Sequence, residues 1–149
     1  MNEELLLQQT KIESQVLEHV TRGLESALGW VVAGDDYSRK LSSVRFITEL
    51  YQRHLERLFA LEEIDGYMEI VGELNPELTS QVDNLKQEHE QFRAAVRKIV
   101  VRLDSPLNRP DFDATCAKLR QTINQVLQHI RRESELLFVS MQRDIGGEG

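Results

Sequence analysis

Four long stretches of this chain repeat apolar residues at the three- and four-residue spacing of an amphipathic α-helix. Short runs rich in Gly, Pro, Asn and Asp separate them, and Pro occurs only 3 times in the whole chain. We therefore predict helices at about 3–32, 38–65, 76–103 and 111–142, followed by a flexible C-terminal tail. Four such helices with short connections pack most simply as an all-α, up-down-up-down antiparallel four-helix bundle.

The bulk composition narrows the class of protein. A chain of 149 residues that is 40% hydrophobic can form one domain, 1–149, with its own core. Cys116 is the single cysteine, which excludes an internal disulfide and favours the cytoplasm. A net charge of -7 disfavours nucleic acid as a partner. The acidic start has neither a basic leader nor a long apolar run, so we expect no signal peptide and no membrane span.

A histidine and a carboxylate stand four residues apart in the last predicted helix, as His129 and Glu133. Residues at i and i+4 lie on one helix face, one turn apart. Their imidazole nitrogen and carboxylate oxygen can then reach the same metal ion, and both are accepted ligands for iron, manganese or zinc. The alternative interpretation is a half-buried histidine beside an exposed glutamate.

The chain has 4 histidines, and each predicted helix carries one of them. His19, His54 and His89 lie on the stripes that we predict to point inward, and His129 borders the fourth stripe. Because an unpaired buried imidazole is costly, we expect the histidines to converge at a site in the core. The predicted inward stripes are Leu5, Ile12, Val16, His19, Gly23, Ala27 and Trp30 in the first helix; Val44, Ile47, Leu50, Tyr51, His54, Leu58, Leu61, Glu62 and Asp65 in the second; Val82, Leu85, His89, Phe92, Val96, Ile99 and Leu103 in the third; and Cys116, Leu119, Ile123, Val126, Ile130, Glu133 and Leu137 in the fourth.

One class of metal-binding bundle is disfavoured by the spacing. Ferritin-like proteins use Glu-x-x-His on two helices. No histidine here has Glu three residues before it, since those places hold Val16, Tyr51, Lys86 and Val126.

Three runs of sequence carry a resemblance to a known family. They are LFALEEIDGYM at 58–68, EHEQF at 88–92 and HIRRESELLF at 129–138. In this order and spacing they resemble a bacterial hemerythrin-like (HHE cation-binding) domain, and the resemblance extends over nearly the whole chain. The family pattern is one His in the first helix, His-x-x-x-Glu in the second, His in the third and His-x-x-x-Glu in the fourth.

The resemblance implies a ligand set by position. His19 would be the first-helix ligand, His89 the third-helix ligand, and His129 with Glu133 the fourth-helix pair.

The second helix matches the family pattern in two ways, and both stay open. Leu58 stands either where a His should precede Glu62 or where a Glu should follow His54. These two candidates are eight residues apart, about 12 Å along a helix, so at most one of them should bind. Arg93 is a second departure, because hemerythrin proper carries a further His four residues after the third-helix ligand. Water or Glu63 would then complete a two-metal site, or only one metal binds.

By resemblance, the chain would bind one or two non-haem iron ions. It would bind or sense dioxygen, nitric oxide or another small diatomic, or sense iron supply. The alternative is a metal-free helical-bundle interaction module with a degenerate site, motivated by Leu58 and Arg93. Enzymatic activity is less favoured, because the sequence offers no nucleophile elbow or phosphate-binding loop. A homodimer through the apolar stretch 5–7 also stays open.

Overall fold

The computed structural model describes residues 3–64 and 66–146, and within these ranges all regular secondary structure is helical. Of the predicted flexible tail at 146–149, the first residue is the last residue of a helix, and 147–149 lie outside the described residues. No helix within them is both long and apolar enough to cross a membrane. The helices are α1 (Glu3–Leu28), α2 (Ser38–Glu63), α3 (Tyr67–Leu74), α4 (Thr79–Leu103) and α5 (Arg109–Gly146), with a 3-10 turn at Pro76–Leu78 before α4.

The four long helices form the predicted up-down-up-down bundle, in which α1 packs on α2, α2 on α4, α4 on α5 and α5 on α1. Hydrogen bonds at one end fix the directions. The hydroxyl of Tyr37, just before α2, donates to the carbonyl of Leu107, just after α4, at 2.5 Å. Arg109, at the start of α5, donates to the carbonyl of Val32, after α1, at 2.8 Å. The ends of α1 and α4 therefore meet the starts of α2 and α5.

The inward face of α1 differs from the prediction. Its buried residues are offset by one position from most of the predicted stripe, which rotates the face by about 100°. His19 is therefore exposed, and its predicted inward position is wrong. The cause is the leucine spacing, which offers the core a better apolar seam than a stripe chosen to include the histidine. The buried residues of α1 are Leu6, Leu17, Thr21, Leu24 and Leu28.

The face of α2 is also partly rotated, and it places the two candidate ligands of this helix in different environments. Glu62 is buried, whereas His54 lies at the edge of the bundle. There His54 Nδ1 contacts Glu13 Oε1 of α1 at 2.5 Å, so its partner is a carboxylate outside the core. Leu58 is buried among the apolar residues of the core.

The face of α4 agrees with the sequence pattern, and that of α5 agrees except that Ile130 and Leu137 are only half-buried. The seven residues predicted to point inward on α4 are its buried residues, His89 among them. On α5, His129 and Glu133 are both buried. These two helices pack against each other, so their polar residues meet inside the bundle.

Helix α3 was missed by the sequence analysis, which treated the stretch after Gly66 as a connection. Met68 and Val71 pack with Leu136 of α5 beneath the end of the bundle. Gly66 makes this turn possible, because a Cβ there would collide with the carbonyl oxygens of Leu61 and Glu62. The chain thereby brings α3 directly against the last turn of α2.

The corrected face of α1 makes a testable prediction. Leu24→Ala should lower the free energy of unfolding by about 2 to 5 kcal/mol, because it leaves a cavity at a fully buried site. Ile12→Ala, on the predicted face but 59% exposed, should change it by less than about 0.5 kcal/mol. Urea unfolding of both variants measures the difference, and equal losses would contradict the observed orientation of α1.

Candidate metal centre

Three buried side chains from α4 and α5 converge near the end of the bundle that α3 covers. One ligand atom from each of His89, His129 and Glu133 lies within 4.8 Å of the other two. Both histidines are 0% exposed and Glu133 is 7% exposed. Within the described residues, these three side chains form the group of His, Cys, Asp or Glu residues that lie close enough together to hold a metal ion. Two imidazoles with one carboxylate are the donor set typical of non-haem ferrous sites.

The polar atoms of the cluster fit a bound cation. The Nε2 atoms of His89 and His129 both face Glu133 Oε1, the first at 3.4 Å. Among the described residues, neither ring nitrogen of His129 makes a hydrogen bond of acceptable geometry, and neither does Glu62 Oε2. Buried polar atoms normally have partners, because leaving one unpaired is costly. His129 Nε2, which faces Glu133, and Glu62 Oε2 are therefore available to coordinate a cation.

Glu62, from the last turn of α2, brings a second carboxyl group to the cluster. Burial raises its pKa well above the ordinary value, and the hydrogen bond to Glu133 and that residue's charge raise it further. Burial acts in the same direction on Glu133, but its close contacts with Glu62 and the two histidines outweigh it and lower the pKa of Glu133. In the metal-free protein, Glu62 can thus keep a proton while Glu133 is a carboxylate.

Tyr67, the first residue of α3, closes the polar cluster from below. Its hydroxyl donates to Glu133 Oε2. Burial raises the pKa of this phenol, and the charges of Glu62 and Glu133 raise it further, so the hydroxyl keeps its proton. The position of Tyr67 depends on the tight turn at Gly66.

Aromatic rings form the apolar wall of the site. Phe59 stacks on the imidazole of His89, with ring centroids 3.8 Å apart. Phe92 meets the imidazole of His129 edge-on at 5.3 Å. Both rings limit the rotation of the histidines and keep water away from them.

Each histidine also faces an acidic side chain on its other nitrogen. His89 Nδ1 lies 2.7 Å from Glu63 Oε1, and the guanidinium of Arg93 donates to both oxygens of that carboxylate at 3.0 Å. Burial raises the pKa of Glu63, but the hydrogen bonds from Arg93 and His89 outweigh it and lower the pKa overall. His129 Nδ1 lies 3.5 Å from Glu88 Oε2, which accepts a bond of 3.1 Å from Arg132.

The side of the cluster nearest α1 is built differently. A groove of about 550 Å³ lies between α1 and α5 and reaches Glu62, Tyr67 and Glu133. From α1 it is lined by residues that include no His, Cys, Asp or Glu, and Leu58 closes it on α2. The α1 residues along the groove are Leu7, Thr10, Lys11, Ser14 and Gln15.

The predicted site residues therefore separate into two groups. The structure brings His89, His129 and Glu133 together, with Glu62 beside them. Neither His19, exposed on α1, nor His54, held by Glu13, joins this cluster. Glu63, considered as an additional ligand, instead contacts the outer nitrogen of His89.

Sequence analysis undervalued two residues near the site. It assigned no role to Tyr67 or to Glu88, although both contact residues of the cluster. The signal for Tyr67 was the short apolar run that follows Gly66.

The buried carboxyl pair makes a prediction about the metal-free protein. Glu62→Gln should raise its free energy of unfolding at pH 7 by about 1 kcal/mol, because the amide can still bond Glu133 but has no costly charged form. The raised folded-state pKa makes this benefit appear as pH rises above the ordinary value of 4.5 and vanish below it. Urea unfolding with chelator measures it; the exposed Glu56→Gln is the control, and a less stable Glu62→Gln protein would contradict the prediction.

Comparison with known proteins agrees with this geometry. A family model of the hemerythrin HHE cation-binding domain matches residues 8–139. No curated protein and no solved structure shows a significant match. The matched residues include the whole cluster and most of each long helix, which confirms the resemblance seen in the sequence. The chain therefore belongs to the hemerythrin HHE cation-binding domain family.

Proposed function

We propose that this domain binds one non-haem iron ion through His89, His129, Glu133 and Glu62, and that the loaded site binds a small diatomic molecule such as dioxygen or nitric oxide. The observation that carries the proposal is the convergence of three buried side chains from α4 and α5, beside the buried and incompletely bonded carboxyl group of Glu62 from α2. Two imidazoles with carboxylates suit iron, which in its ferrous form supplies an electron-rich centre for binding such gases.

A single ion is favoured by what surrounds the cluster. Leu58 is buried where a second-helix ligand would stand in either register of the family pattern. The groove face of α1 offers hydroxyl, amide and ammonium groups rather than metal ligands. Donors for a second ion are thus missing on the side where α1 approaches, while α4 and α5 supply His89, His129 and Glu133.

The surrounding residues suit a small ligand. The groove beside α1 provides an approach to the carboxylates of Glu62 and Glu133. Tyr67 keeps a proton at the floor of the same groove, where its hydroxyl can donate to a bound polar atom. On the opposite side, Phe59 and Phe92 exclude water from the imidazoles.

The buried Cys116 agrees with a reducing compartment, and we propose that the protein is cytoplasmic.

Metal content tests the first half of the proposal. After anaerobic loading with ferrous iron and desalting, the natural protein should hold about one iron per chain. His129→Ala should hold nearly none, whereas His54→Ala, which removes a histidine outside the cluster, should match the natural protein. Two irons per chain would contradict the single-ion site. No iron would leave the metal-free interaction module as the interpretation.

Gas binding tests the second half. Nitric oxide added to the ferrous, iron-loaded protein without oxygen should change its electron paramagnetic resonance spectrum in proportion to bound iron. The same addition to His129→Ala should give no such signal. A loaded natural protein without a response would contradict gas binding and leave iron binding intact.

A further inference from the structure

Both histidines of the cluster share a pattern that the ligand set alone does not require. Each lies on a helix with an arginine one turn later, Arg93 after His89 and Arg132 after His129. Each arginine bonds a glutamate of the preceding long helix, and that glutamate faces Nδ1 of the same histidine. The two arrangements repeat around the bundle, from α2 to α4 and from α4 to α5.

The arrangement at His89 is the tighter one. Its Nδ1 makes a hydrogen bond of 2.7 Å with Glu63, and Arg93 grips both oxygens of that carboxylate. The side chains of Glu63 and Arg93 are only 22% and 16% exposed, so water screens the contact weakly. The guanidinium also lies over the ring of Phe59, which itself stacks on His89.

The arrangement at His129 is looser. The 3.5 Å between Nδ1 and Glu88 exceeds a good hydrogen bond, and Arg132 is 53% exposed. Exposed ion pairs contribute little, because water and salt screen them. The two arrangements therefore contain the same three residue types, but the one at His89 has the shorter contact and the less exposed arginine.

A carboxylate at Nδ1 determines which nitrogen can bind a metal. When Nδ1–H donates to Glu63, the lone pair of His89 is on Nε2, the atom that faces Glu133. A carboxylate partner also makes the imidazole a stronger donor. Without Arg93, Glu63 could turn toward water, since it lies at the partly exposed edge of α2.

We propose that Arg93 and Glu63 are positioning residues that orient His89 so that its Nε2 binds the metal, with Arg132 and Glu88 a weaker counterpart for His129. This inference rests on the proposed iron site and explains the departure at Arg93. This chain has Arg93 where hemerythrin proper carries a further histidine, and this arginine supports His89 through Glu63.

Ferrous-iron affinity of the full chain, measured anaerobically by competition with a coloured chelator, tests the proposal. Arg93→Gln and Glu63→Leu should each weaken binding by about 10- to 100-fold. Arg93→Lys keeps the charge but not the two-pronged grip, so it should fall between Arg93→Gln and the natural protein. Arg132→Gln should weaken binding less than Arg93→Gln does.

Arg109→Gln is the matched control, because Arg109 is also a partly buried, ion-paired arginine but lies at the far end of the bundle. It should leave the affinity unchanged even where it lowers the melting temperature of the metal-free protein. In the zinc-loaded protein, nitrogen-15 NMR of the His89 ring should identify Nε2 as the bound atom and Nδ1 as protonated.

The outcomes separate this inference from the proposed function. A natural protein that binds no ferrous iron overturns both. A natural protein that binds iron while Arg93→Gln and Glu63→Leu bind it equally well overturns the positioning role alone. Binding of zinc through Nδ1 of His89 would overturn it as well.

Discussion

The end of the bundle that α3 covers depends on one constraint. Two imidazoles and two carboxyl groups are buried there, away from water. Burying ionisable groups is costly unless each one finds a partner. The carboxyl groups of Glu62 and Glu133 interact with each other, Tyr67 donates to Glu133, and Glu63 holds the outer face of His89. Several local features follow from this, including the sharp turn at Gly66 and the short helix after it.

The polar cluster also divides the apolar core. Above it, a large cluster built from all four long helices extends to the end where Tyr37 and Phe112 stack. Below it, a smaller cluster joins α3 to α4 and α5 through residues such as Met68 and Leu136. The upper core can maintain the fold while the lower residues satisfy the chemistry of the site. The polar cluster thus lies between a large apolar core and a small one.

The sequence predicted the inward position of a site residue where the apolar spacing and the placement of the ionisable residues agreed. On α4, His89 lies within an unbroken apolar stripe, so its inward position followed from periodicity alone. On α5, the four-residue spacing of His129 and Glu133 was enough to place both on one face. The bundle topology followed from four long segments and short connections.

Periodicity failed where a histidine competed with leucines for the inward face. On α1 the apolar seam won, and His19 lies outside it. On α2, spacing could not choose between His54 and Glu62, because that choice depends on how α2 is rotated against α1 and α4. The roles of Arg93 and Glu63 depend on a contact between residues 30 positions apart, which no local pattern could reveal.

The groove face of α1, whose described lining residues include no metal ligand, determines which helices a bound ion would hold together. The four proposed ligands belong to α2, α4 and α5, so a bound ion would join these three helices. Helix α1 would be held only by apolar packing and a few polar contacts. A bound ion would therefore stabilise the packing of α2, α4 and α5 directly, and the packing of α1 only through its contacts with these helices.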